Sequence, residues 1–280
     1  MPSKPFNKFG IVCKDSSRSR AVAKRLAALL DARVESGELP GYFVESKSAA
    51  HIPSTTAPRH FSPQSLCGVE CIIVIGGDGA MLAAEGAYPG VPKLEINSGN
   101  VGFLSQLDSE FEKGVESLLE GKFKVSERSK LEIRIEGKSH LALNDAYAYG
   151  EKPCRPVNFR LACSLFDEVF YANGIVLATP TGSTAHSYSA GGPVVPPELE
   201  CIVVTPVVPL NPLLHSFVLA PDETISIEAV ARKAACSVDG LPGLPFEKLE
   251  ASLAKEKARF AQIEGIGADL MKKLRRKMLY

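Results

Sequence analysis

Residues 71–85 read Cys-Ile-Ile-Val-Ile-Gly-Gly-Asp-Gly-Ala-Met-Leu-Ala-Ala-Glu, and the reading of this stretch decides the fold. Cys71 to Ile75 has the length and β-branched content of a strand buried on both faces. Ala80 to Glu85 has good helix propensity. Between them, Gly76, Gly77 and Gly79 surround a carboxylate, Asp78. Glycines here let a ligand approach the backbone, and successive N–H groups can form a concave anion site. The helix start adds its positive dipole end. An Asp in such a turn, next to phosphate, could hold a metal ion or take a proton from an attacking hydroxyl. A tight turn in which Asp78 only caps the helix would read the same way. Neither a G-x-x-x-x-G-K-[ST] loop nor a G-x-G-x-x-G fingerprint is present, so the commonest nucleotide sites are not supported.

Outward from this turn the first third alternates strand and helix. Phe9–Cys13 is a short apolar run, Asp15-Ser16-Ser17 a helix cap, and Ala21, Val22, Leu26, Leu29 and Leu30 form one buried helical face. Residues 46–66 read as a loop, and Lys93-Leu94-Glu95-Ile96 as another strand. Such alternation predicts a parallel sheet with helices on its faces. From residue 126 the rhythm changes. Leu131-Glu132-Ile133-Arg134-Ile135-Glu136 alternates as a strand with one wet face does, and Gly137-Lys138 marks a hairpin turn. Further strand-like runs lie at 160–166, 174–178, 201–204, 217–219 and 224–227. The division expected is an α/β domain over 1–125, a mostly β domain over 126–246, and a helical segment over 247–280 that returns to the first domain. The basic run at 272–277 reads as a solvated helix face or a binding patch.

Composition narrows the function. Lys plus Arg and Asp plus Glu are 32 each in 280 residues, a balance that argues against nucleic acid as a partner. No run of about 18 apolar residues suggests a membrane span, and residues 1–10 lack the apolar core of a signal peptide. Seven cysteines without a Cys-x-x-Cys pair read as buried free thiols in a reducing compartment, so a cytoplasmic location is expected. A zinc site from Cys67, Cys71 and a distant His lacks the usual spacing.

Three more segments carry chemistry. Residues 173–193 run from Asn173-Gly174 through an apolar strand into Thr179-Pro180-Thr181-Gly182-Ser183-Thr184-Ala185-His186-Ser187, and on to Ser189 and Gly191-Gly192-Pro193. This turn, dense in hydroxyls and N–H groups, suits ribose and phosphate oxygens, although self-capping Ser and Thr would also account for it. The others are Asn97-Ser98-Gly99-Asn100-Val101-Gly102-Phe103-Leu104 and Leu143-Asn144-Asp145. In this order the four segments resemble the NAD kinase family, over roughly residues 70–240. The stretch at 179–193 selects that family among kinases sharing Gly-Gly-Asp-Gly.

The resemblance implies an NAD kinase-like fold and transfer of phosphate from ATP, or polyphosphate, to the 2′-hydroxyl of the adenosine of NAD, giving NADP. Asp78 would be the catalytic carboxylate. Gly76, Gly77, Gly79 and Asn97 would belong to the nucleotide site, Leu82 and Phe103 would be apolar walls, and Asn144 and Asp145 would hold the dinucleotide. Thr184, Ala185 and Ser189 would line the adenine end, and Asn173, Thr181, Gly182, Ser183 and His186 would also belong to the substrate and nucleotide site. Mg²⁺ would neutralise the donor, and a homodimer or homotetramer is implied. Ala80 stands where the family usually has Thr, His186 where it has Tyr, and Asn173 where it has Asp. Two rivals remain: a kinase of the same fold for another hydroxyl substrate, and a non-catalytic NAD or NADP sensor.

Overall fold

In a computed structural model, residues 6–56, 58–99, 102–108, 110–152, 155–211, 213–230, 232–266 and 273–275 are described. The chain divides into two units, residues 1–127 with 258–280, and residues 128–257.

The first unit is built on alternating strands and helices: β1 (Phe9–Cys13), α1 (Ser17–Glu35), β2 (Tyr42–Glu45), β3 (Arg59–Phe61), β4 (Cys71–Gly76), α2 (Asp78–Ala87), β5 (Lys93–Asn97), α3 (Glu112–Leu119) and β6 (Phe123–Arg128). Strands β3, β2, β1, β4 and β5 are parallel neighbours in that order. As expected, Ser16 caps α1, accepting the N–H of Ser19, and the helix buries Val22, Leu26 and Leu30. These pack with Ile73 and Ile75 of β4 and with Leu94 and Ile96 of β5. Burying one such side chain contributes about 1.5–3 kcal/mol. The stretch expected to be a loop over 46–66 contains β3. The connection before it is gathered by Asp31 of α1, whose carboxylate accepts from Tyr42, Ser54, Thr55 and Thr56 at 2.6–3.1 Å.

The second unit contains β7 (Leu131–Ile135), β8 (Lys138–Ala142), β9 (Asp145–Gly150), β10 (Val157–Ala162), β11 (Asp167–Ala178), a short helix α4 (His186–Ser189), β12 (Ile202–Pro209), β13 (Phe217–Leu219), β14 (Thr224–Val230), β15 (Ala234–Val238), β16 (Leu244–Phe246) and β17 (Lys248–Leu253). The strand order is β16-β15-β9-β11-β10-β14-β17-β7-β8, with β12 on β11 and β13 on β12. Among the described residues, neighbouring strands of this sheet pair antiparallel throughout. Alternation in β7 buries Leu131, Ile133 and Ile135. Its hairpin turns at Glu136 and Gly137, with φ of 48° and 76°, one residue earlier than the sequence suggested.

The chain then returns to the first unit through β18 (Ala258–Ile263), which is parallel to β5. Here the structure corrects the helix expected over 247–280: residues 248–253 and 258–263 are strands. Their Ala, Lys, Leu and Glu favour a helix only weakly, by tenths of a kcal/mol per residue. The pairing of β17 between β14 and β7 buries Leu249 and Ala251 at every second position and overrides that preference. Within the described residues of the expected segment, helix is confined to Lys273–Arg275, inside the basic run.

Candidate active site

The first unit contributes a carboxylate held by backbone. Gly77, extended at φ −122° and ψ −175°, is the N-cap of α2, and Asp78 is the first helical residue. The Asp78 side chain does not cap its own helix. Its two oxygens accept the N–H groups of Leu104 at 2.9 Å and Phe103 at 3.1 Å. Gly76 is required by packing, because a Cβ there would lie 2.3 Å from that of Ala80. Asn97, at the end of β5, accepts the N–H of Gly99 on Oδ1 at 2.9 Å, and the N–H of Ser98 reaches the carbonyl of Gly76 at 2.7 Å. The turn after β4 and the loop after β5 are therefore tied together. Gly79 is exposed, and Leu82 of α2 and Phe103 of the loop after β5 are half-buried. Asn100 and Val101 lie outside the described residues.

The second unit contributes the reverse arrangement. Asp239, in the turn after β15, accepts the N–H groups of Leu143, Asn144 and Asp145 at 2.7, 2.8 and 3.1 Å. Its own N–H reaches the carbonyl of Asp145 at 2.9 Å. The segment 143–145 is thereby fixed at the start of β9, directly opposite the end of β11, where Ala178 faces Asp145 in register. Thr179 closes the junction: its hydroxyl donates to Leu143 O at 2.6 Å and accepts from Gly182 N at 3.0 Å. Gly182 is obligatory, since a Cβ there would stand 1.9 Å from the carbonyl oxygen of Asn144.

Burial, and then the neighbouring Asp239, push the Asp145 carboxyl up to about 7, against a hydrogen bond from the His186 backbone. Asn144 is buried, and its Oδ1 has no hydrogen-bond partner among the described residues. The His186 ring meets Tyr147 edge-on, with centroids 4.6 Å apart, and Tyr147 stacks on Tyr149 at 5.0 Å. Burial lowers the His186 pKa, which favours the neutral ring.

The sequence-expected residues thus form two groups, one in each unit. Gly76, Gly77, Asp78, Gly79 and Asn97 come together in the first. Asn144, Asp145, Thr181, Gly182, Thr184, Ala185 and His186 come together in the second, with Ser189 exposed at the end of α4. Two expected residues stand apart. Ser183 is fully buried, its hydroxyl donating to Pro180 O at 2.7 Å and accepting from Val195 N at 3.0 Å, so it builds the loop rather than facing a ligand. Asn173 precedes Gly174, which pairs with Tyr149, at the opposite end of the β9–β11 ladder from Asp145. Four steps of about 3.4 Å along the strand separate the two ends of that ladder.

Sequence reasoning missed Asp239, Tyr147 and Glu95. The Asp239-Gly240 dipeptide is a turn signal, and Asp239 adopts φ 48°, but nothing local announces that its carboxylate organises 143–145.

Residues 9–123 match the ATP-NAD kinase N-terminal domain, and residues 163–252 the ATP-NAD kinase C-terminal domain. An NAD kinase of Heliobacterium modesticaldum is 32% identical over 251 residues, covering 85% of this chain and 86% of that protein. An NAD kinase of Pyrococcus abyssi is 35% identical over 248 residues, covering 83% and 84%. Among solved structures, yeast NADH kinase complexed with NADH superposes with a TM-score of 0.85 at 22% identity, over 99% of this chain and 89% of that one. An NAD kinase from Archaeoglobus fulgidus in complex with ATP gives 0.78 at 24%, over 96% and 99%. The two structural likenesses carry the fold alone. The matched domains and the two sequence relatives carry more, and by them the chain belongs to the NAD kinase family.

Proposed function

We propose that the chain transfers the terminal phosphate of ATP to the 2′-hydroxyl of the adenosine of NAD, giving NADP and ADP, with Asp78 as the base. The observation that carries this reading is a carboxylate fixed by two backbone N–H groups in a glycine turn at a helix start. As the 2′-oxygen bonds to the γ-phosphorus, its proton passes to Asp78 and the bond to the β–γ bridging oxygen breaks, releasing ADP. A carboxylate already held in place needs little reorganisation at that moment. The start of α2 favours the negative charge of the phosphates.

In the second unit, the buried Oδ1 of Asn144 is suited to accept from a ribose hydroxyl, and a neutral Asp145 could donate as well as accept. Tyr147 and His186 offer flat faces for a base or a nicotinamide ring, beside Thr184, Ala185 and Ser189. Support for ATP as donor comes from the Archaeoglobus relative solved with that nucleotide, and polyphosphate is the alternative donor. Among the described residues no group of three or more His, Cys, Asp or Glu could cage a metal. Mg²⁺ would enter with the donor as MgATP and neutralise the charge of its phosphates.

A homodimer or homotetramer is the assembly we favour, supported by Val208, Leu210 and Leu213, each more than two-thirds exposed in or just after β12. A cytoplasmic setting is supported by the free thiols at 13, 67, 71, 163, 201 and 236. No helix among the described residues is long and apolar enough to cross a membrane.

The test is NADP formation from NAD and MgATP by the wild-type chain and by Asp78→Asn. Turnover that falls roughly 10²–10⁴-fold in the variant, with NAD still bound, is expected for loss of a general base. NAD binding without turnover in the wild type would sink the kinase reading and leave a dinucleotide sensor.

A further inference from the structure

Glu95 lies on β5 between Lys93 and Asn97, on the same face of the strand by its twofold alternation. It is 2% exposed, and neither carboxyl oxygen has a hydrogen-bond partner among the described residues. A carboxylate in that position would lose its hydration with nothing in exchange, and such a group avoids the penalty by keeping its proton. Burial pushes Glu95 up to about 8; the charge of Asp78 adds to this and that of Lys273 opposes it.

The surroundings are specific. In register on β4 stands Val74, which is apolar. Lys93, on Glu95's own strand, is engaged by Glu85 of α2 at 2.6 Å and by the carbonyls of Tyr88 and Val91. The charges that act on Glu95 are thus Asp78, at the start of α2, and Lys273, in the helical turn 273–275. These two also meet at the loop that follows β5. Asp78 accepts the N–H groups of Phe103 and Leu104, while the Lys273 ammonium donates to the carbonyls of Phe103, at 2.9 Å, and Ser105. Opposite charges therefore grip one short segment from its two polar sides, with Glu95 buried in the field of both.

We propose that Glu95 is a positioning residue for phosphoryl transfer: it stays neutral in the working enzyme, so that Asp78 is the charged carboxylate of the turn, and its ionisation loosens the grip of Asp78 and Lys273 on residues 103–105. An ionised Glu95 repels Asp78 and competes with the two carbonyls for Lys273. No atom of substrate need touch it. The proposal rests on the reading of Asp78 as base.

The experiment follows NADP formation against pH in the wild-type chain, Glu95→Gln and Lys273→Met. It also follows the carboxylic-acid carbonyl stretch in the infrared, a readout that needs no turnover. In the wild type, kcat is expected to decline on the alkaline side with a midpoint near 8, by about tenfold per pH unit beyond it, as a single ionisation dictates. The KM for NAD should change less than kcat. In Glu95→Gln the alkaline limb moves away, and a buried carboxylic-acid band present in the wild type at neutral pH is missing. In Lys273→Met the midpoint moves to higher pH, because the charge that favours ionised Glu95 is gone, and Lys273→Arg returns it. An unchanged alkaline limb in Glu95→Gln overturns the proposal, as does the absence of the band in the wild type. Should Glu95→Gln fail to fold, an unmoved midpoint in Lys273→Met overturns it. Undiminished turnover by Asp78→Asn would instead overturn the reading of Asp78, and the proposal with it, while leaving the Glu95 band in place.

Discussion

In the first unit the backbone holds a carboxylate: the N–H groups of Phe103 and Leu104 fix Asp78, the proposed base. In the second unit a carboxylate holds the backbone: Asp239 gathers the N–H groups of Leu143, Asn144 and Asp145, and the side chains proposed to bind the dinucleotide belong to the gathered residues. The same charge-assisted hydrogen bonds thus serve opposite ends. Replacing Asp78 should cost turnover far more than stability. Removing Asp239 should leave the chemical groups and spoil their placement.

The loss of turnover expected in Asp78→Asn is the largest effect; the amide oxygen can still accept one of the two N–H groups, so the denaturation midpoint should fall less than in Asp239→Ala. Next comes Asp239→Ala. Each hydrogen bond to a charged acceptor contributes about 1.5–3 kcal/mol, so removing the acceptor of three N–H groups should lower stability by more than any single such bond. It should also raise the KM for NAD, while kcat at saturation stays measurable. A chemical-denaturation curve unchanged by Asp239→Ala would erase the contrast between the two units.

A subtler effect concerns Asp145. Its folded pKa of about 7 lies above the unfolded value of 3.8. Between those two values the folded chain retains a proton that the unfolded chain has released. The stability that Asp145 contributes is therefore complete below about pH 4 and is lost as pH rises through 7, with a slope of at most about 1.4 kcal/mol per pH unit. Asp145→Asn should flatten that part of the stability profile, and an equally steep profile in the variant would show that other groups set it. The smallest change expected is in His186→Ala. An edge-on aromatic contact such as that with Tyr147 is worth about 0.5–1.5 kcal/mol; calorimetry should find a shift of that size, with a modest rise in KM.

Local physics made part of this legible. Gly76, Gly77 and Gly79 around Asp78 announced a strand-to-helix turn, because a buried apolar run must stop before a helix can start. The alternation at 131–136 announced β7 for the same kind of reason. The strands at 248–253 and 258–263 were hidden, since a composition rich in Ala, Lys and Leu carries no β signal until neighbouring strands bury alternate residues. Ser183 looked like a ligand-facing hydroxyl because the sequence does not say which hydroxyls in a dense run turn inward. Phe103 read as an apolar wall, and what its side-chain type could not announce is that its backbone N–H meets Asp78 and its carbonyl meets Lys273.

By itself the sequence determined the local matters: the glycine turn, the apolar strands, the order of the four segments and the positions of the carboxyl groups. The tertiary structure alone decided which of those carboxyls are held, which hold others and which are buried away from water. Asp239 reaches the backbone of Leu143 across 96 residues of chain, and Glu95 feels Lys273 from the far end of the sequence. Charge state depends on lost hydration and on the field of neighbours, and both are properties of the folded surroundings rather than of the residue's place in the chain.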